Sequence, residues 1–156
     1  MKKPGKATYY FYLISLAVIV LDQTIKFFLK STETGKDIFN IGFFSFTHVH
    51  NYGAGISILQ GQNWLFISIA IAFIFLVIIF YEKIEKSIWV QTGFALLLGG
   101  TTSNLIDRIS LGYVIDFFDF KIWPVFNIAD SAISTGAAIL IIYYLIKEKE
   151  KKKKKR

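Results

Sequence analysis

Four stretches of the chain are apolar for long enough to cross a bilayer, which takes about 20 mostly apolar residues in a helix. They run from about Tyr9 to Leu29, Trp64 to Tyr81, Ile88 to Ile106 and Ile128 to Ile146. The first turns polar near its end, at Asp22, Gln23, Thr24 and Lys26, whereas the second is broken only by Ser68. The third is softer, with Gly93, Gly99, Gly100, Thr101, Thr102 and Ser103, and the fourth starts polar and finishes AAILIIYYLI. The pattern predicts an all-α membrane core of four transmembrane helices, forming one integral domain over residues 1–156. Residues 30–63 and 107–127 then lie together on one side of the membrane. Within the first of these, Phe39 to Val49 (FNIGFFSFTHV) alternates around Phe44, Phe46 and His48, which predicts a strand. Its aromatic, charge-free composition places this small β-structure at the membrane interface. The second segment is short, aromatic and acidic, and Pro124 marks a turn that folds its two halves together.

Composition strengthens this picture. Of 156 residues, 54% are hydrophobic, and no Asp, Glu, Lys or Arg occurs in Ile38–Tyr81, Ser87–Ile106 or Ser131–Ile146. A soluble domain of this size could not bury so much apolar surface. Disorder and collagen are excluded by the same figures, and the absence of Cys removes disulfides and thiol chemistry. Lys and Arg set the orientation: 13 of 18 precede the first span, lie between the second and third, or follow the fourth. That bias places both termini in the cytoplasm and the β-structure on the extracytoplasmic face. Lys2, Lys3 and Lys6 could also open a signal peptide, but DQTIKFFLKSTE after Leu21 offers no small-x-small cleavage site, so the first span is expected to be retained. Of the +7 net charge, +6 sits in the tail 147–156, which suits a solvated segment attracted to anionic membrane lipids and does not argue for nucleic acid.

Ionisable groups at membrane depth are costly and mark candidate chemistry. Asp22 and Lys26, four apart on a helix, fit an ion pair at the end of the first span. Asn104, Asp107 and Arg108 share one helix face; a structural network suits Asp107, while Arg108 needs a carboxylate or a substrate backbone. Asp116 (YVIDFFDF) and Asp130 (VFNIADSAI) each sit in or beside a span end. Two carboxylates in one low-dielectric pocket do not both ionise readily, so one keeps a proton and the pair can act as acid and base. On spacing alone, solvation or helix capping is the simpler account of both. Metal chemistry lacks parts: there is no HExxH, and His48 and His50 have no evident third ligand. No nucleotide-binding loop is present, and no clear Ser–Lys pair.

Taken together, GGTTSNLIDRISLGYVIDFFDF, the following WPVFNIADSAI, and the earlier LDQTIKFF and HNYGAGIS resemble the bacterial lipoprotein signal peptidases, the signal peptidase II family. The resemblance implies an aspartyl protease of the bacterial cytoplasmic (inner) membrane, without metal or cofactor. Its substrates would be diacylglyceryl-modified prolipoproteins, cut N-terminal to the lipidated Cys. It makes Asp116 and Asp130 the catalytic dyad, places Asn51, Asn104, Arg108 and Asn127 at substrate-positioning sites, and matches Asp22 and Lys26 to supporting positions. Asp107 and Asp119 remain structural. Gly55 and Ile56 stand where the family has Ala and an aromatic, and Thr101 and Ser103 where it has Ala and Gly, which bears on fine specificity. A rival class is a small proton-coupled transporter using Asp116 or Asp130, but a transporter wants its acid near mid-membrane rather than clustered at one end.

Overall fold

The computed structural model describes residues 5–53 and 61–154. Four long helices carry a three-stranded antiparallel sheet at one end of their bundle. The helices are α1 (Lys6–Leu29), α2 (Asn63–Phe80), α3 (Ile88–Ser110) and α4 (Ile128–Lys154). Among the described residues, three stretches are long and apolar enough to cross a membrane: α1, α2 with the 3₁₀ turn that extends it to Lys83, and α4. The region 54–60, which holds Gly55 and Ile56, lies outside the described residues.

α3 matches the others in length but not in apolarity, and its neighbours explain why. It packs against α1, α2 and α4, so little of it needs a greasy outer face. Its buried positions include Gln91, Ser103, Asn104 and Asp107. Two adjacent glycines bring the backbones together. A Cβ on Gly99 would sit 2.7 Å from the Ser15 carbonyl oxygen of α1, and one on Gly100 would collide with the Ala129 carbonyl of α4. Consecutive residues thus serve opposite neighbours, and close helix approach takes the place of bulky apolar contact. Away from the sheet, Phe11, Val77, Tyr81, Ala95 and Leu98 form an apolar core that joins α1, α2 and α3.

The stretch expected as one strand is a hairpin. β1 (Asp37–Asn40) and β2 (Ser45–Asn51) flank a turn at Gly42, whose φ of +84° suits glycine and whose N–H donates to Asn40 Oδ1 at 2.7 Å. The alternation around Phe44 and Phe46 continued through this turn in the sequence, which hid the break. β3 (Val114–Asp119) pairs with β2, with Val49 opposite Asp116 and Asn51 opposite Val114. Asp116 therefore lies on a strand rather than at a span end. Beyond β3 the chain turns back so that Phe126 bridges Phe118, in keeping with a turn near Pro124. Leu29, Ile115 and Phe117 form a second small core between α1 and the sheet.

Candidate active site

The start of α4 leaves backbone N–H groups without helical partners, and side chains must satisfy them. Asn127, the residue before the helix, accepts from the Asp130 N–H at 2.8 Å through its Oδ1, while Asp130 Oδ2 accepts from the Asn127 N–H at 3.3 Å. This reciprocal arrangement is a capping box with Asp in the usual Glu position. The capping expected of a lone Asp is therefore present, but Asp130 has further partners. The next orphan donor, Ala129 N–H, reaches across to Asp22 Oδ1 of α1 at 3.1 Å.

Asn127 also joins the two carboxylates. Its Nδ2 donates to Asp116 Oδ1 at 2.7 Å, with the Ile115 carbonyl at 3.2 Å and Asn104 Oδ1 at 3.1 Å nearby. Asn51 Nδ2 donates to the other Asp116 oxygen at 2.8 Å, and Asn104 Nδ2 donates to Asp130 Oδ1 at 2.8 Å. Asp116 is 1% exposed, whereas Asp130 is partly open. Among the described residues neither forms an ion pair, and only amides hold them. Burial, with the charge of Asp130 adding to it, pushes the Asp116 carboxyl up to about 8, against the opposing hydrogen bonds of Asn51 and Asn127.

A second buried cluster lies behind the first. Lys26 Nζ contacts Asp22 Oδ2 at 2.6 Å and Asp107 Oδ2 at 2.8 Å, with all three side chains fully buried, and donates to Asn104 Oδ1 at 3.0 Å. Asp22 Oδ2 also accepts from Ser103 Oγ at 2.7 Å. Asp107 accepts from Gln23 Nε2 at 2.9 Å and from the Ile115 N–H at 3.1 Å. The pair expected at the end of α1 is thus a triad joining α1, α3, α4 and β3. Ser103 supplies a hydroxyl that Gly or Ala could not.

Arg108 neutralises neither Asp107 nor Asp119. Asp119 is held by Lys121 at 2.8 Å. Arg108 Nη2 instead donates to the Gly53 carbonyl at 3.0 Å, and its guanidinium lies 4.9 Å from the Phe66 ring centre. Asn63 Nδ2 caps the Arg108 carbonyl at 3.1 Å. A cleft of about 300 Å³ opens here, lined by Asn51, Phe66, Asn104, Arg108 and Asp130, with Thr101 in its wall. Asn127 is wholly buried and does not line the cleft. Phe66, Asn63 and Gln23 were not singled out in the sequence; only the polarity of Gln23 near a span end offered a signal.

Two carboxylates without an ion-pair partner among the described residues, one buried and one opening to a cleft at one end of a helical bundle, fit a membrane enzyme, and comparison with known proteins agrees. The fold matches a solved bacterial membrane enzyme with a TM-score of 0.85 and 31% identity, covering 91% of each chain. Residues 14–146 match the signal peptidase (SPase) II family. The lipoprotein signal peptidase of Halothermothrix orenii is 43% identical over 137 residues, which cover 83% of this chain and 91% of that one. That of Psychromonas ingrahamii is 40% identical over 138 residues, covering 82% and 80%. This chain belongs to the signal peptidase II family and is a protease.

Proposed function

We propose that the chain removes signal peptides from diacylglyceryl-modified prolipoproteins, cutting N-terminal to the lipidated Cys, with Asp116 and Asp130 directing the attack of water. The observation that carries this reading is the pair itself: two carboxylates, joined through one asparagine and lacking a cation partner among the described residues, beside a cleft in a chain of this family. Asp130 faces the cleft as carboxylate and takes a proton from water. The water oxygen attacks the scissile carbonyl carbon, while the protonated Asp116 donates to the carbonyl oxygen once Asn51 yields its hydrogen bond to Oδ2. The tetrahedral gem-diol collapses as the peptide C–N bond breaks: the proton held by Asp130 passes to the leaving amine, and one hydroxyl returns its proton to Asp116, restoring the pair. The products are a signal peptide with a new carboxylate and a lipoprotein beginning at the lipidated Cys.

Asn104 and Asn127 position the dyad in this reading. Arg108, rigid against Phe66, offers its remaining N–H groups to substrate carbonyls in the cleft. Asp22 and Lys26 support the start of α4. All four helices span the bacterial cytoplasmic membrane, with α3 shielded by the others. The dyad end faces outward and both termini face the cytoplasm, a placement supported by the Lys/Arg distribution. Both acids sit at the sheet end of the bundle, which argues against a proton-coupled transport site at mid-membrane. Purified protein in lipid should cleave a diacylglyceryl-modified precursor and leave the unlipidated one intact; cleavage of neither would overturn the reading.

A further inference from the structure

A groove more voluminous than the cleft beside the dyad lies elsewhere in the described structure. It measures about 610 Å³ and lies between α3 and the far part of α4. Helix rise puts its polar end, at Lys147, about 25 Å along α4 from Asp130, at the opposite membrane leaflet. Ile139, Ile142 and Ile146 form its floor, and Trp89 of α3, 61% exposed, stands as its wall. Polar groups gather at one end only. There Tyr143 OH donates to Glu85 Oε1 at 2.6 Å and Lys147 Nζ to Glu85 Oε2 at 2.5 Å. These bonds and the charges of Lys147 and Lys151 hold the Glu85 carboxyl below its usual range. Glu85 uses one donor of the Lys147 ammonium, so two remain. Lys151 and Lys154 follow on the same helix face and are exposed. With Lys147 they outnumber the two carboxylates at this end, Glu85 and Glu150. Lys152 pairs with Glu148 at 2.6 Å.

We propose that this groove binds an anionic glycerophospholipid of the leaflet opposite the dyad. One acyl chain lies along Ile139, Ile142 and Ile146 against Trp89, and the phosphodiester sits at Lys147 and Lys151. Charge complementarity selects the occupant. A zwitterionic lipid would bring its own cation toward a run of lysines, and a free phosphate would leave the apolar floor unused. The inference rests on the membrane placement given above and not on the peptidase chemistry.

The test uses the purified full chain in detergent, with dioleoyl phosphatidylglycerol and dioleoyl phosphatidylcholine at equal mole fractions. Native mass spectrometry reads retention and thermal unfolding reads stabilisation. Phosphatidylglycerol should be retained and should raise Tm, and phosphatidylcholine should do neither. The preference should fall at least about fivefold in Ile142→Trp, which fills the groove and keeps every charge, and in Lys151→Gln/Lys154→Gln, which does the reverse. Ile139→Trp replaces Ile142→Trp if that chain fails to fold. Equal retention of the two lipids would overturn the proposal. So would a preference unchanged by filling the groove, which would assign the effect to the diffuse charge of the tail. Precursor cleavage in detergent should persist in the filled variants, so loss of lipid binding and loss of the peptidase reading are read separately.

Discussion

Two carboxylate clusters lie side by side in this molecule, one fully buried and the other opening to a cleft at Asp130, and they are satisfied differently. Around Lys26, two carboxylates share one ammonium, and amide, hydroxyl and backbone donors satisfy their remaining oxygens. Around Asn127, one carboxylate takes the side-chain amide and the other the backbone N–H of the same residue, and among the described residues neither has a cation partner. The first cluster is compensated and ties α1 to α3, α4 and β3. The second holds excess negative charge at low dielectric, which favours keeping a proton that can be passed to a substrate. Compensation makes a strut; its absence is what the proposed chemistry needs. The clusters also communicate, because Asn104 accepts from Lys26 and donates to Asp130.

The comparison breaks most visibly at the dyad. Asp116→Asn or Asp130→Asn should each lower turnover by at least about a thousandfold, and the double change should cost scarcely more, since the pair acts as a unit. Precursor cleavage measured on folded protein checks both. At the strut the loss should be of fold. Lys26→Met strands two buried carboxylates and should cost about 3–5 kcal/mol, seen in thermal unfolding, with part recovered by adding Asp22→Asn. Removing a charge should thus destroy the triad's stability and the dyad's chemistry, each with its own readout.

Smaller changes sharpen the boundary between the two clusters. Arg108→Lys keeps charge but loses the planar fork held against Phe66, and should slow cleavage by about 10–100-fold with little change in Tm. Unchanged cleavage would move Arg108 into the scaffold. Ser103→Ala removes one hydrogen bond to Asp22 and should cost about 1 kcal/mol without slowing turnover, in a paired stability and cleavage assay.

Much of this was legible in the chain. The starts of α2, α3 and α4 fall within a residue of the apolar runs, and α4 carries its helix on through the lysine tail because Lys and Glu are good helix formers. β3 was not legible as a strand, since VIDFFD has a single polar residue among its first five and no clean alternation. The Gly42 turn was obscured by aromatics on both sides. At the site, motif resemblance picked out Asp116, Asp130, Asn104 and Asn127, but nothing local indicated their partners. Ala129 meets Asp22 across 107 positions of sequence, and Asp107 takes Lys26 rather than the adjacent Arg108. Such pairings are set by the close packing of α3 on α1 and α4, which sequence spacing does not express.

The dyad's proton gives the most direct test of the contrast. An Asp that ionises at 3.8 when exposed and at about 8 in the fold binds an extra proton in the folded state between those values. Stability therefore falls as pH rises through that window, and activity that needs the proton falls as pH rises past about 8. Infrared titration of the folded protein in lipid should reveal a protonated carboxyl at neutral pH that ionises near 8 and is absent from Asp116→Asn. A neutral-pH spectrum with every carboxyl ionised, or a protonated carboxyl that survives unchanged in Asp116→Asn, would contradict the account.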